Sequence, residues 1–118
     1  MGSTPLVSVC IPVYNTERFV AEAIRSVLDQ SFRDLEVVIV DNASTDSTPE
    51  IIAKFSDPRI RLFVNDQNIG AAGNFNRAVA MARGRYIKLL CADDVLYPTC
   101  LEKQVAVLEA DGHAGVSM

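Results

Sequence analysis

The chain has 118 residues, a formal net charge of −4, 49% hydrophobic and 22% charged residues, which excludes a disordered chain and leaves room for one core. Its mild acidity, without a basic run, gives no electrostatic footprint for nucleic acid. No apolar stretch is long enough to span a bilayer and no signal-peptide pattern opens the chain, so it reads as cytoplasmic, with three scattered cysteines, Cys10, Cys91 and Cys100, as buried thiols.

Residues 1–5 are read as a tag or an unstructured lead. Leu6 to Pro12 predicts a first strand, apolar almost throughout and so covered on both faces. Tyr14 and Asn15 follow in a loop. Asn15 or Thr16 is expected to cap a helix whose stripe is Val20, Ala23, Ile24, Val27 and Leu28. Leu35 to Val40 predicts a second strand, ending on Asp41 and Asn42. Ser44, Asp46 or Thr48 is expected to cap a second helix carrying Ile51, Ile52 and Phe55, with Pro49 in its first turn.

Ile60 to Val64 predicts a short third strand, followed by the loop Asn65 to Gly70. A third helix is expected from Ala71 to Ala82, with Phe75, Ala78, Val79 and Ala82 inward and Gly84 as its stop. Tyr86 to Leu90 predicts a fourth strand, in which Lys88 reads as an edge residue. It ends in Cys91, Ala92, Asp93 and Asp94. A fourth helix opens at Pro98 or Thr99, carries Leu101, Val105 and Leu108, and ends at Asp111 and Gly112. Gly115 to Met118 resembles the opening of a further strand, and so suggests a fragment of a longer chain. His113 is given no role.

Four strands alternating with four helices predict an α/β layered domain with a mainly parallel central sheet. In such sheets ligands bind outside the carboxyl ends of the strands. Here those ends carry Tyr14 and Asn15, Asp41 and Asn42, Asn68 and Gly70, and Asp93 and Asp94. Adjacent carboxylates repel one another and resist burial unless a cation joins them. Magnesium sits on one or two carboxylates plus substrate phosphates. Tyr14 offers a flat face for a base, and an Asn or Asp can accept from a pyrimidine imide. Each residue also has a plainer reading: caps for Ser44 and Asp46, packing for Tyr14, turn chemistry for Asn68 and Gly70. The co-location carries the functional reading.

In this order and spacing, the segments VSVCIPVYNTERFVAEAIRSVLDQSF, LEVVIVDNASTDSTPEII and NIGAAGNFNRAVAMARGRYIKLLCADD, followed by VLYP, resemble the family 2 glycosyltransferases of GT-A (Rossmann-like) fold. The resemblance covers nearly the whole chain. It implies a nucleotide-sugar donor, foremost a UDP-sugar, and a carbohydrate or lipid-linked acceptor, as in polysaccharide biosynthesis. It implies a base pocket at Pro12 and Tyr14, with Asp41 and Asn42 at the second-strand end; the latter stands where an acid that contacts the pyrimidine is common. Asn15, Asn68, Gly70 and Asn76 complete the implied nucleotide-binding set. Asp93 and Asp94 match the family's DXD region, with Asp94 as ligand to Mg2+ or Mn2+ and Asp93 on ribose or metal. Cys91 replaces an acid many relatives carry. Asn74-Phe75-Asn76 replaces Ala-Arg-Asn, so no arginine is assigned and Arg77 is out of register.

The implied reaction is glycosyl transfer to a hydroxyl with inversion. The catalytic base is expected beyond Met118, making residues 1–118 the nucleotide-sugar-binding half, inactive by itself, peripheral to the inner membrane face in a full-length protein, and open to homodimerisation through a sheet edge. A non-catalytic nucleotide-binding module is the alternative. A receiver-like domain fits less well because no acidic pair follows the first strand, and a dinucleotide-binding domain because no GxGxxG does.

Overall fold

The computed structural model describes residues 4–110. The helix end at Asp111 and Gly112, His113 and the strand read from Gly115 lie outside the described residues. The elements are β1 (Val7–Val13), α1 (Val20–Leu28), β2 (Leu35–Asp41), α2 (Thr48–Ala53), β3 (Ile60–Val64), α3 (Ala71–Met81), β4 (Tyr86–Leu89) and α4 (Cys100–Ala110). All eight predicted elements are present. Thr4 and Pro5 have no regular structure. No helix among the described residues is long and apolar enough to cross a membrane.

The strands form one parallel sheet in the order β3-β2-β1-β4. Alternate side chains go to opposite faces. Val7, Val9, Ile11, Val13, Leu35, Val37 and Ile39 pack with Val20, Ala23, Ile24 and Val27 of α1, Ile52 of α2, and Leu101 and Val105 of α4. The intervening Cys10, Val38 and Val40 pack with Ala78 of α3. Each fully buried Val or Ile contributes about 1.5–3 kcal/mol relative to exposure. This two-sided covering explains the unbroken apolar runs of β1 and β2. Lys88 lies on β4, which pairs only with β1 among the described residues.

Several local expectations are corrected. Neither Asn15 nor Thr16 caps α1 through its side chain; Phe19 occupies that position without a side-chain bond. Instead Asn15 Oδ1 accepts from Thr45 N at 2.8 Å and Thr48 Oγ1 accepts from Thr16 N at 2.8 Å. At α2 the cap position is Ser47, again without a side-chain bond. Asp46 bridges two loops: Oδ1 accepts from Thr48 N at 2.9 Å and Oδ2 from Glu17 N at 3.2 Å. The capping residues therefore lock the loops after β1 and β2 together.

Phe75 faces solvent, while Asn74 and Ala78 form the buried face of α3. Gly84 is not the helix stop, because α3 ends at Met81 with Ala82 extended. A Cβ on Gly84 would lie 2.7 Å from both Ser8 N and Ser8 Oγ. The close passage of this link beside β1 requires the glycine.

At the amino ends of the strands, Glu36 is 2% exposed. Its Oε2 accepts from Ser8 Oγ at 2.5 Å and Arg83 N at 2.7 Å. Its Oε1 accepts from Arg61 Nη1 at 2.9 Å and Arg83 Nε at 3.0 Å. Desolvation raises its pKa, but these four donors together outweigh it and hold the carboxyl below its ordinary 4.5. The stabilisation is complete above pH 4.5 and is lost as pH falls from there through the folded value. Glu36→Gln is expected to cost about 3 kcal/mol at neutral pH. Urea unfolding across the acid range should also show a shallower acid loss in the variant than in the wild type.

Candidate nucleotide and metal site

The chain lays down β1, β2 and β3 in one direction and then returns to place β4 on the other side of β1. The strand order thus reverses between β1 and β4, where ligands bind in open α/β sheets. Beside this point lies a cavity of about 220 Å³ lined by Pro12, Val13, Tyr14, Asn42, Asn68, Ala71 and Asn74. Tyr14 is 45% exposed on its wall.

Four of the predicted nucleotide-binding residues, Pro12, Tyr14, Asn42 and Asn68, line this cavity. Gly70 begins the turn into α3 with φ 86°, a conformation that favours glycine, and its carbonyl accepts from Asn42 Nδ2 at 3.3 Å. Asn15 lies in the loop outside, tied to Ser44 and Thr45. Asp41 is fully buried and accepts from the backbone N and hydroxyl of Ser44. Asn76 is exposed and does not line the cavity, whereas Asn74 does. Residues two apart on a helix do not share a face.

Sequence reading missed Val13, Ala71, Asn74 and the buried Asn65. The three asparagines Asn42, Asn65 and Asn74 are at most 6% exposed. Asn65 Nδ2 donates to Asn42 Oδ1 and to Asn74 Oδ1, each at 2.9 Å. Asn74 Nδ2 donates to Val40 O at 3.0 Å, and Arg77 donates to Asn65 Oδ1. Arg77 thus supports the loop after β3. The only sequence signal was the density of amides in 65–76, which carries no periodicity.

At the end of β4, Asp94 N donates to Cys91 O at 2.9 Å, closing a tight turn. The turn gathers Cys91 Sγ and carboxylate oxygens of Asp93 and Asp94 within 4.8 Å of one another, all on exposed residues. Cys91 is therefore not a buried thiol. Cys100 is half-buried, and Cys10 is fully buried, its pKa pushed up to about 12 by burial and by the charge of Glu36. All three are free thiols. The donor set suits a hard divalent cation: two carboxylates supply oxygen ligands and their exposure leaves further positions for phosphate oxygens. The softer thiol adds little affinity for magnesium or manganese.

Comparison with known proteins places the chain in a family and a fold. Residues 8–118 match Glycosyl transferase family 2. The chain is 44% identical to the putative glycosyltransferase EpsE of Bacillus subtilis over 117 residues, covering 96% of this chain and 42% of that protein. It is 39% identical to the UDP-Glc:alpha-D-GlcNAc-diphosphoundecaprenol beta-1,3-glucosyltransferase WfgD of Escherichia coli, covering 87% and 41%. Among solved structures, S. aureus TarS 1-349 in complex with UDP superposes with a TM-score of 0.83 at 29% identity, over 88% of this chain and 32% of that one. The mannosyltransferase PcManGT of Pyrobaculum calidifontis, in complex with GDP-Man and Mn2+, gives 0.81 at 29% identity, over 90% and 33%. The fold is that of the GT-A glycosyltransferases, and the chain belongs to glycosyl transferase family 2. It spans less than half the length of these relatives.

The amide cluster should be measurable in stability. Asn74→Ala removes one donor to Val40 O and leaves an Asn65 amide hydrogen unpaired, at an expected cost of about 1–3 kcal/mol in chemical unfolding. Asn76→Ala, on the exposed face, is expected to stay within about 0.5 kcal/mol of wild type.

Proposed function

We propose that residues 1–118 form the donor-binding half of a glycosyltransferase that moves a sugar from a nucleoside diphosphate to an acceptor hydroxyl with inversion. The observation that carries this reading is the juxtaposition of the cavity at the ends of β1 and β2 with the acidic turn at the end of β4. The complexes of TarS with UDP and of the mannosyltransferase with GDP-Man and Mn2+ support it.

In this reading Tyr14 and Pro12 hold the base, Tyr14 by stacking through its exposed ring. Asp93 binds ribose hydroxyls or shares the metal, and Asp94 is the principal ligand to Mg2+ or Mn2+. Asn15, Asp41 and Gly70 shape the loops around the nucleotide, and Asn76 stands outside the cavity. When bound, the cation neutralises charge on the diphosphate leaving group. The chain's own groups orient the donor and keep the base end in an apolar-walled recess, while the acidic turn stays open to solvent for phosphate and cation. The carboxylate that deprotonates the acceptor is assigned to sequence outside these residues. The acceptor is carbohydrate or lipid-linked, in line with the name of the E. coli relative.

Calorimetry with UDP is expected to show tighter binding with manganese or magnesium than without. Asp94→Ala should abolish that enhancement while leaving the circular dichroism spectrum unchanged. Metal-independent binding in the wild type would remove the acidic turn from the site, and enhancement surviving in Asp94→Ala would move the metal to other ligands.

A further inference from the structure

The acidic turn carries a sulfur beside its two carboxylates. Leu90 and Ala92 belong to the core, each 5% exposed, and Leu90 N donates to Cys10 O at 3.0 Å. The alternation of an extended chain therefore sends Cys91 and Asp93 outward on the same side. The turn closed by Asp94 N on Cys91 O then brings Asp94 round to them. One ligand atom from each of the three residues falls within the same 4.8 Å cluster.

None of these three ligand atoms is committed elsewhere. No side-chain hydrogen bond engages Cys91, Asp93 or Asp94 among the described residues, and the ion pairs there hold only Asp57 and Glu36. Two neighbouring carboxylates without a countercharge favour a cation between them. Three protein ligands with further positions open to water or substrate are the arrangement of a reactive metal centre rather than a sealed structural one. The other two cysteines lie outside the cluster. Cys10 is fully buried and its thiol donates to Ala78 O at 3.5 Å. Cys100 is half-buried at the start of α4.

We propose that Cys91 is a metal ligand that sets which divalent cation the turn prefers, drawing it away from magnesium and toward zinc, cobalt and cadmium. This rests on the metal reading above. Thiolate sulfur and carboxylate oxygen together suit zinc, whereas magnesium takes oxygen and gains little from a thiol. An all-oxygen site also ranks zinc above manganese, so a bare preference for zinc does not reveal the sulfur. What reveals it is a loss, on removing the sulfur, that falls on zinc and cadmium and spares magnesium and manganese.

Calorimetry of the 118-residue chain with each of these four cations alone tests this. Cys91→Ser nearly keeps the size of the side chain and removes the sulfur. Zinc and cadmium are expected to bind this variant at least about ten-fold more weakly than wild type, the loss that even an outer partner of a ligand can bring. Magnesium and manganese are expected to stay within about two-fold of wild type. Cobalt is expected to give the wild type a near-ultraviolet sulfur-to-metal charge-transfer band that is lost in Cys91→Ser and kept in Cys100→Ser. Cys91→Asp, which puts oxygen in place of sulfur, is expected to lose the band while binding magnesium more tightly. A wild type without the band, or a band that survives Cys91→Ser, overturns sulfur ligation. An equal loss for all four cations in Cys91→Ser overturns the selectivity. A wild type that binds none of the cations, and binds UDP no better with manganese than without, overturns the metal reading itself, and the role of Cys91 with it.

Discussion

Seven residue pairs, Val7↔Leu35 through Val13↔Asp41, join β1 to β2 in parallel. Both strands are covered on both faces, so water cannot compete for this ladder. Because the pairing is parallel and in step, the carboxyl ends of the two strands finish level. The ladder then continues into the loops: Asn42 N donates to Val13 O at 2.9 Å, and Asn65 N donates to Asp41 O at 2.8 Å. The cavity wall is thus an extension of the sheet. Pro12 and Tyr14 take their places from β1, and Asn42 from β2. The segment Asn65 to Gly70 is anchored to β2 by hydrogen bonds from both backbone and side chains.

The strands were legible because burial on both faces leaves an unmistakable apolar, β-branched run, as in Leu35 to Val40. The site edge was legible because parallel strands put their polar termini on one side. Other features depended on partners far away in sequence. Asn15 looked like a helix cap, but its partner Thr45 is 30 residues away. Gly84 looked like a helix stop, since a sequence does not distinguish a left-handed turn from a backbone passing close to β1. Cys91 looked like the end of a buried run, yet the turn after β4 exposes it beside Asp93 and Asp94. Asn74 and Asn76 are the same residue type two positions apart, and the phase of α3 alone separates them.

The candidate site divides its work between two kinds of polar group. The β4 end offers carboxylates in the open, where water hydrates their charge. Beside the cavity, the β2 end and the loop after β3 use neutral amides under cover, and the one buried carboxylate there, Asp41, is satisfied by Ser44. Amides also carry direction: each has a donor side and an acceptor side, so a connected set with backbone partners has one consistent arrangement. The carboxylate turn and the amide cluster occupy separate parts of the edge, joined through β1.

Glu36, at the other end of the sheet, bears on how the chain assembles. Its partners Ser8, Arg61 and Arg83 lie 28, 25 and 47 residues away in sequence. Closing such separations carries an entropic cost before any contact rewards it. The carboxylate is fully satisfied only when β1, β3 and the link from α3 to β4 have all arrived beside β2. A chain that placed β4 elsewhere than beside β1 would bury Glu36 with its two Arg83 contacts missing. One acidic side chain thereby ties the satisfaction of a buried charge to the arrival of three separate segments beside β2.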